Sequence, residues 1–348
     1  MVPSLPVLLF CFCLVLTDNV SAAVVFMYHR FGETGLPSTN VTLAQFSAHL
    51  EFLASHGYQV WPLPRIADHL KNHKPIPDRV VALTVDDAYA SVYDQAYPLI
   101  KARQWPLTVF VSTDAIDHHL RGYMTWDQMR DMRDHNVTFA NHSSTHSHLI
   151  ERQGKETTAA WQQRVSADIT HAQQRLEQEL GPTPGLFAYP YGEYTPVLKQ
   201  LLAELGYQAF GQQSGAIGPG SDLRLLPRFP MAERFAGMAQ FSLKAAALPF
   251  PVTDIEPDNP VIDSNHLRPT LTLTVDARRL PRLEELACYL NGQKMTTIVW
   301  QGKDRFSVSA DHNLTERRSR YNCTVPSQQD GRYHWYSQLW INPAVDEP

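Results

Sequence analysis

Two adjacent carboxylates, Asp86 and Asp87, close the stretch VVALTVDD that begins at Val80. Its leading residues are apolar and mostly β-branched, which reads as a strand buried on both faces. An unpaired carboxylate is costly inside a protein, so the pair calls for a cation or for a cleft at the strand's end. A surface turn, where Asp is common, is the plain alternative. His142 and His146 form a His-x-x-x-His pair directly after a predicted strand over Val137–Ala140. On a helical turn that spacing sets both imidazoles on one face, as two metal ligands need. With 15 histidines in the chain, chance pairs are expected, so the placement after a strand is what counts. One carboxylate and two imidazoles make the three-ligand set of a catalytic zinc site with an open position for water. Other divalent ions also suit such a set. The second carboxylate is then free to act as a general base.

The elements that must position these groups alternate between apolar strands and amphipathic helices. Val24–Tyr28 reads as a strand ending at His29, and a helix opens at Thr42 and runs to His56. A short strand over Tyr58–Leu63 and a helix over Arg65–Asn72 precede the central strand. Helix over Ser91–Arg103, strand over Leu107–Ser112 and helix over Trp126–His135 follow it. A long helix over Glu156–Leu180 is stopped by Gly181-Pro182. Strand over Leu186–Tyr189, helix over Thr195–Leu205, strand over Tyr207–Phe210 and a last helix over Ala232–Ala247 complete the series. Strands and helices in this order imply a parallel sheet with right-handed crossovers, an α/β fold of the (β/α)7-type barrel kind. A doubly wound open sheet is the alternative. In either, functional groups gather at the C-terminal ends of strands. Those ends carry His29, Asp86-Asp87, Asn141-His142 with His146, and Tyr189-Pro190-Tyr191-Gly192.

The texture changes at residues 249–266, where PFPVTDIEPDNPVIDSN from Pro249 reads as a Pro- and Asp-rich linker. Residues 267–348 show short alternating segments, the pattern of a small antiparallel β-sandwich. Cys288, Trp300 and Cys323 follow the Cys-Trp-Cys order of immunoglobulin domains, and Tyr321 resembles their tyrosine corner, so the sandwich is expected to be immunoglobulin-like. At the other end, residues 1–22 resemble a signal peptide: Val7–Leu16 is too short an apolar run to span a bilayer comfortably, and Val20-Ser21-Ala22 resembles a cleavage site. Cleavage there would remove Cys11 and Cys13 and leave Cys288 and Cys323 to form one disulfide in an exported protein, periplasmic or extracellular. No later stretch approaches a membrane span. With 43% hydrophobic and 19% charged residues the 348-residue chain is ordinary for a globular protein. A net charge of −5 with no basic tract suggests no nucleic-acid partner.

Three ordered motifs carry a resemblance. TVDDAY is similar to the TFDDG motif of the carbohydrate esterase family 4 polysaccharide deacetylases (the NodB-homology domain), NHSSTHSHL to their H-[ST]-x-x-H motif, and FAYPYGEY to their R-x-P-[YF]-G motif. FMYHR and TWDQMRDM resemble the poly-N-acetylglucosamine and peptidoglycan deacetylase branches. The resemblance places a deacetylase domain within residues 23–248 and implies Asp87, His142 and His146 as metal ligands. It further implies Asp86 as the base that activates water, and the backbone N–H of Tyr191 as an oxyanion donor. The implied activity is removal of N-acetyl groups from poly-N-acetylglucosamine, peptidoglycan or a chitin-like polymer, with release of acetate. Trp126, Tyr89, Tyr191 and Tyr194 are candidates for a groove where sugar rings stack.

The departures are specific. Ala88 stands where the family has Gly, and Ala188 where it has the Arg that orients the catalytic Asp. Arg228 or Arg30 can substitute for that Arg from other strand ends. Residues 231–250 hold no His to act as the proton donor for the leaving amine, so His29 is the candidate for that role. These gaps motivate a second reading, a carbohydrate-binding scaffold with a degenerate site. The C-terminal aromatics Tyr333, Trp335, Tyr336 and Trp340 also motivate it.

Overall fold

The computed structural model describes residues 22–346, so residues 1–21 of the expected signal segment, with Cys11 and Cys13, lie outside the described residues. Seven parallel strands form the first unit: β1 (Ala23–Tyr28), β2 (Val80–Asp86), β3 (Leu107–Val111), β4 (Val137–Asn141), β5 (Leu186–Ala188), β6 (Gln208–Phe210) and β7 (Phe229–Pro230). Their order in the sheet is β7-β1-β2-β3-β4-β5-β6, and Gln59–Val60 adds a short parallel pairing on β2. The two ends of the sheet approach each other through one segment. Leu226 bridges Phe210 of β6 in the parallel sense, and a few residues later Phe229 pairs with Phe26 of β1. The barrel expectation is met, with very short strands on the closing side.

Period-two alternation sorts the side chains of β2. Val81, Leu83 and Val85 join the layer beneath the helices, with Phe46, Leu50, Val92 and Met129. Val80 and Ala82 join Phe110, Ala140, Ala188 and Phe210 from the other strands in the barrel interior. Thr84 and Asp86 continue that inner face, which puts the last carboxylate of the strand at the mouth of the barrel. The whole strand is buried, as its composition predicts.

Helix boundaries follow local chemistry. Thr42 caps Leu43–Ser55 in a capping box with Gln45, and Thr125 does the same for Trp126–Arg133 with Gln128. The long helix is Thr158–Leu180, capped by Thr157 and ended at Gly181, whose φ is 76°. Two expected helices are shorter. The one over Ser91–Arg103 becomes a π turn, Val92–Ala96, followed by Tyr97–Lys101 with Pro98 at its start. The last is broken at Gly237, whose extended backbone leaves Met238–Ala245 as the helix.

The second unit is a sandwich. Its strands are β8 (Leu248–Pro249), β9 (Val252–Glu256), β10 (Thr270–Val275), β11 (Ala287–Leu290), β12 (Gln293–Lys294), β13 (Ile298–Trp300), β14 (Arg305–Ser309), β15 (Arg318–Pro326) and β16 (Tyr333–Ile341). They pair as β8-β16-β15-β11-β12 and β9-β10-β14-β13. β9 and the second residue of β8 fall in the stretch read as linker. Its Pro and Asp residues mark bends between short strands, and Val252 and Ile255 pack on the sandwich core. Cys288 and Cys323 are bonded, but as direct cross-strand partners within one sheet, whereas an immunoglobulin disulfide joins two sheets. Trp300 is 42% exposed on an outer strand, and Trp340 fills the core against Tyr321 instead. Tyr321 does tie the corner: its hydroxyl donates to Pro269 O at 2.9 Å and accepts from Ala310 N at 3.0 Å.

Candidate active site

Asp86 and Asp87 part company at the end of β2. Asp86 points along the inner face, while Asp87 and Ala88 have φ of 75° and 58°, turning the chain across the barrel mouth. Ala88 therefore occupies a left-handed conformation that Gly adopts without penalty.

Arg228 lies across the barrel interior, wholly buried. Its Nε donates to Gly211 O at 2.9 Å, and its two terminal nitrogens grip Asp86 at 2.7 Å each. The Asp86 carboxylate is thus oriented by a two-pronged, charge-assisted contact. Burial pushes its pKa up, but Arg228, His142 and His29 together hold it below the usual carboxylate value. Arg30, the other candidate for this task, pairs with Glu33 at 2.8 Å and lies 3.3 Å over the Tyr89 ring, away from Asp86.

Asp87 Oδ1 sits 3.3 Å from His142 Nε2 and 3.1 Å from His146 Nε2. The Nδ1 of His142 donates to Ala188 O at 2.8 Å, because a carbonyl can only accept. That fixes the tautomer and leaves the Nε2 lone pair of a neutral His142 facing a carboxylate oxygen. Asp87 Oδ1 is buried and has no hydrogen-bond donor among the described residues. Converging lone pairs of this kind are what a cation relieves. Two ligand atoms held about 2.0–2.1 Å from a tetrahedral ion lie roughly 3.3–3.4 Å apart, close to the spacing seen here. The three groups fit a divalent metal, and the Ala188 carbonyl is the outer partner that such a histidine ligand ordinarily has.

The His pair does not lie on a helix. It follows β4 on a loop in which Ser143 and His146 have positive φ. Polar anchors set its shape: Asn141 Oδ1 accepts from Ser143 N at 2.9 Å, Asp168 from Ser144 N at 2.7 Å, and Ser143 Oγ from His146 N at 3.0 Å. Asn141, itself a strand-end candidate, therefore shapes the loop.

His29 follows β1 and feels Asp86, Asp87, Arg228 and His142; burial lowers its pKa, with the two carboxylates opposing. Tyr191 has φ 59° and ψ 2° in the turn Pro190–Gly192. At Gly192 a side chain would strike Gln212, at 2.7 Å from the added carbon, so both φ and space require glycine there. The Tyr191 ring lies 4.6 Å from that of His146 and stacks on His148 at 4.0 Å. Tyr89 stands near Tyr123 and Arg30. Trp126 and Tyr194 are buried: Trp126 donates to Asp117, and the Tyr194 hydroxyl accepts from Gln338, where Tyr194 lines a cavity with Lys199 and Trp335 that none of Asp87, His142 and His146 lines.

Glu193, next to the third motif, was not among the candidates. It is buried, and it bonds His148 Nδ1 at 2.8 Å and Arg317 Nε at 2.9 Å. Those ion pairs hold its carboxyl down to about 2 against the effect of burial. Its signal in the sequence is faint, a single acidic residue in YGEY.

Comparisons with known proteins bear on the same region. Residues 73–210 match the family model described as polysaccharide deacetylase. The poly-beta-1,6-N-acetyl-D-glucosamine N-deacetylase of Escherichia coli (strain K12) is 26% identical over 214 residues, covering 52% of this chain and 32% of that protein. The chain thus spans about a third of that relative's length. The Staphylococcus aureus (strain N315) protein of the same name is 22% identical over 216 residues, covering 60% of this chain and 73% of that one. The solved structure of IcaB from Ammonifex degensii shares the fold, with a TM-score of 0.57 and 22% identity over 65% of this chain and 97% of that one. The ordered motifs, the parallel barrel and the Asp-His-His cluster all fall in or around the segment, residues 73–210, that matches the polysaccharide deacetylase model.

Proposed function

We propose that the chain is a metal-dependent hydrolase that removes N-acetyl groups from an N-acetylglucosamine-containing polysaccharide. The observation that carries this reading is the juxtaposition of the Asp87-His142-His146 cluster with an Asp86 carboxylate held ionised by Arg228. A divalent ion at the cluster, zinc being the default for two His and one Asp, would supply an activated water and a Lewis acid for the amide carbonyl.

The chain's own residues do the rest. Asp86 takes the proton from the attacking water, and Arg228 positions it for that task. The backbone N–H of Tyr191 donates to the oxygen that gains charge as the carbonyl carbon becomes tetrahedral. The C–N bond breaks, acetate leaves, and the sugar nitrogen departs as an amine once it has gained a proton. His29 is the proton donor in this scheme. The proton it delivers is the one that Asp86 takes from the attacking water. Arg228 fills the place left by the missing motif arginine, which removes one reason for a degenerate scaffold.

The substrate class rests on the names of the E. coli and S. aureus relatives, which act on poly-beta-1,6-N-acetyl-D-glucosamine. Residues 23–248 are the deacetylase domain in this reading, residues 267–348 the appended sandwich, and residues 1–22 an export signal that places the protein outside the cytoplasm. Among the described residues, no helix is long and apolar enough to cross a membrane. Replacing Asp86 with Asn tests the assignment of the base. Acetate release should fall by about 10²–10⁴-fold while the metal stays bound. Turnover close to wild type in that variant would remove Asp86 from the role.

A further inference from the structure

Arg317 precedes β15 of the sandwich, yet its guanidinium is buried against the deacetylase barrel. Nε donates to Glu193 Oε1 at 2.9 Å, and one terminal nitrogen reaches Glu193 Oε2 at 3.2 Å and Glu151 Oε1 at 2.6 Å. The other terminal nitrogen donates to Val345 O at 3.2 Å, so every arm of the fork is used. Glu193 in turn holds two groups that contact the Tyr191 ring. Its Oε2 accepts from His148, which stacks on one face at 4.0 Å. Its Oε1 accepts from Arg318 at 3.2 Å, whose guanidinium stands 5.4 Å from the same ring. His148 is two residues beyond His146, and Tyr191 is two residues before Glu193.

We infer that the sandwich supplies a positioning residue, Arg317, to the deacetylase site. By fixing Glu193 it sets the His146–His148 loop and the Tyr191 turn relative to each other. The inference rests on the deacetylase reading for its effect on turnover, but its structural core does not. A carboxylate this buried keeps its charge only with cationic partners, and both arginines come from the sandwich. The β-domain is therefore part of the active-site wall, not merely a module tethered to the barrel. Arg317 touches no reacting atom, and its action passes through Glu193.

The test uses the full chain with Arg317→Lys, Arg317→Met and the charge-balanced double variant Arg317→Met/Glu193→Gln. A lysine keeps the charge but cannot make the fork. Misplacement of the Tyr191 turn by an ångström predicts a kcat about 10–100-fold lower in all three, with KM much less affected. Cobalt affinity, measured by competition with a chromogenic chelator, should stay near wild type. Thermal stability should recover in the double variant while kcat does not. Hydrogen–deuterium exchange supplies a readout free of activity: peptides covering 142–150 and 189–194 should exchange faster together in Arg317→Met. If the double variant regains both stability and full turnover, or if exchange rises only in the sandwich, Arg317 is merely structural and the inference falls. Coupled exchange in a protein whose wild type releases no acetate would instead leave the coupling standing and overturn the deacetylase reading.

Discussion

Replacing Arg228 with Met removes the guanidinium that orients Asp86 and leaves a carboxylate with no exposure to water. Two contacts of 2.7 Å join the groups, and neither side chain is exposed at all. At an effective dielectric near 20, opposite charges about 4 Å apart attract by about 4 kcal/mol. Breaking a buried pair by removing one partner costs about 3–5 kcal/mol in comparable cases, a consistent figure. Arg228→Met should therefore unfold about 3–5 kcal/mol more easily than wild type at neutral pH. The double variant Arg228→Met/Asp86→Asn should recover much of that loss, because no orphaned charge remains, and the cycle isolates the coupling. Urea titration followed by tryptophan fluorescence reads the stability, and acetate release under conditions where Arg228→Met stays folded reads the function. Turnover should drop about 10²–10⁴-fold, the usual contribution of a positioned base. A single variant within about 1 kcal/mol of wild type, the ordinary scale of a point substitution, would refute the reasoning, as would near-normal turnover.

Two other outcomes follow from the same geometry. Removing the ligand whose tautomer Ala188 fixes, by His142→Ala, should weaken zinc or cobalt binding by more than the roughly 10–100-fold that loss of an outer partner costs. Competition with a chromogenic chelator measures it, and unchanged affinity would place the metal elsewhere. His49 offers a pH signature away from the site: it is buried between Tyr28, Ala236 and the Phe241 ring, and burial lowers its pKa from 6.5 to about 4. With the folded pKa depressed, stability is intact above pH 6.5 and is lost as pH falls toward about 4, by about 3 kcal/mol in all. The wild-type minus His49→Phe difference in unfolding free energy should slope through that window, and a flat difference would contradict the assignment.

The sequence exposed what short-range chemistry encodes. β2 was legible because apolar β-branched residues and a terminal carboxylate pair leave few alternatives. The helix opening at Thr42 was legible, and the structure shows it capped through Gln45. Arg228 could be named only as one candidate beside Arg30. Its role depends on a closing segment, Leu226–Pro230, that brings distant residues face to face with β2. The His-x-x-x-His pair suggested a helix, but the loop is held by Asn141 and Asp168, partners that spacing cannot reveal. Ala88 stood out only as a departure from the motif's Gly, and the backbone shows that it stands in the left-handed region. Trp300 matched an immunoglobulin order by spacing while Trp340 occupies the core, since strand order and not residue order decides which side faces inward. Glu193 was invisible because its partners, Arg317 and Arg318, come from the other unit.

The most direct test of the account is acetate release by the chain beginning at Ala23, assayed on poly-N-acetylglucosamine, peptidoglycan and chitooligosaccharides after chelation and after zinc or cobalt is restored. Release from one of these polymers should be abolished by chelation and restored by metal, with one free amine formed for each acetate. No release from any of them by metal-loaded protein, or release indifferent to chelation, would contradict it.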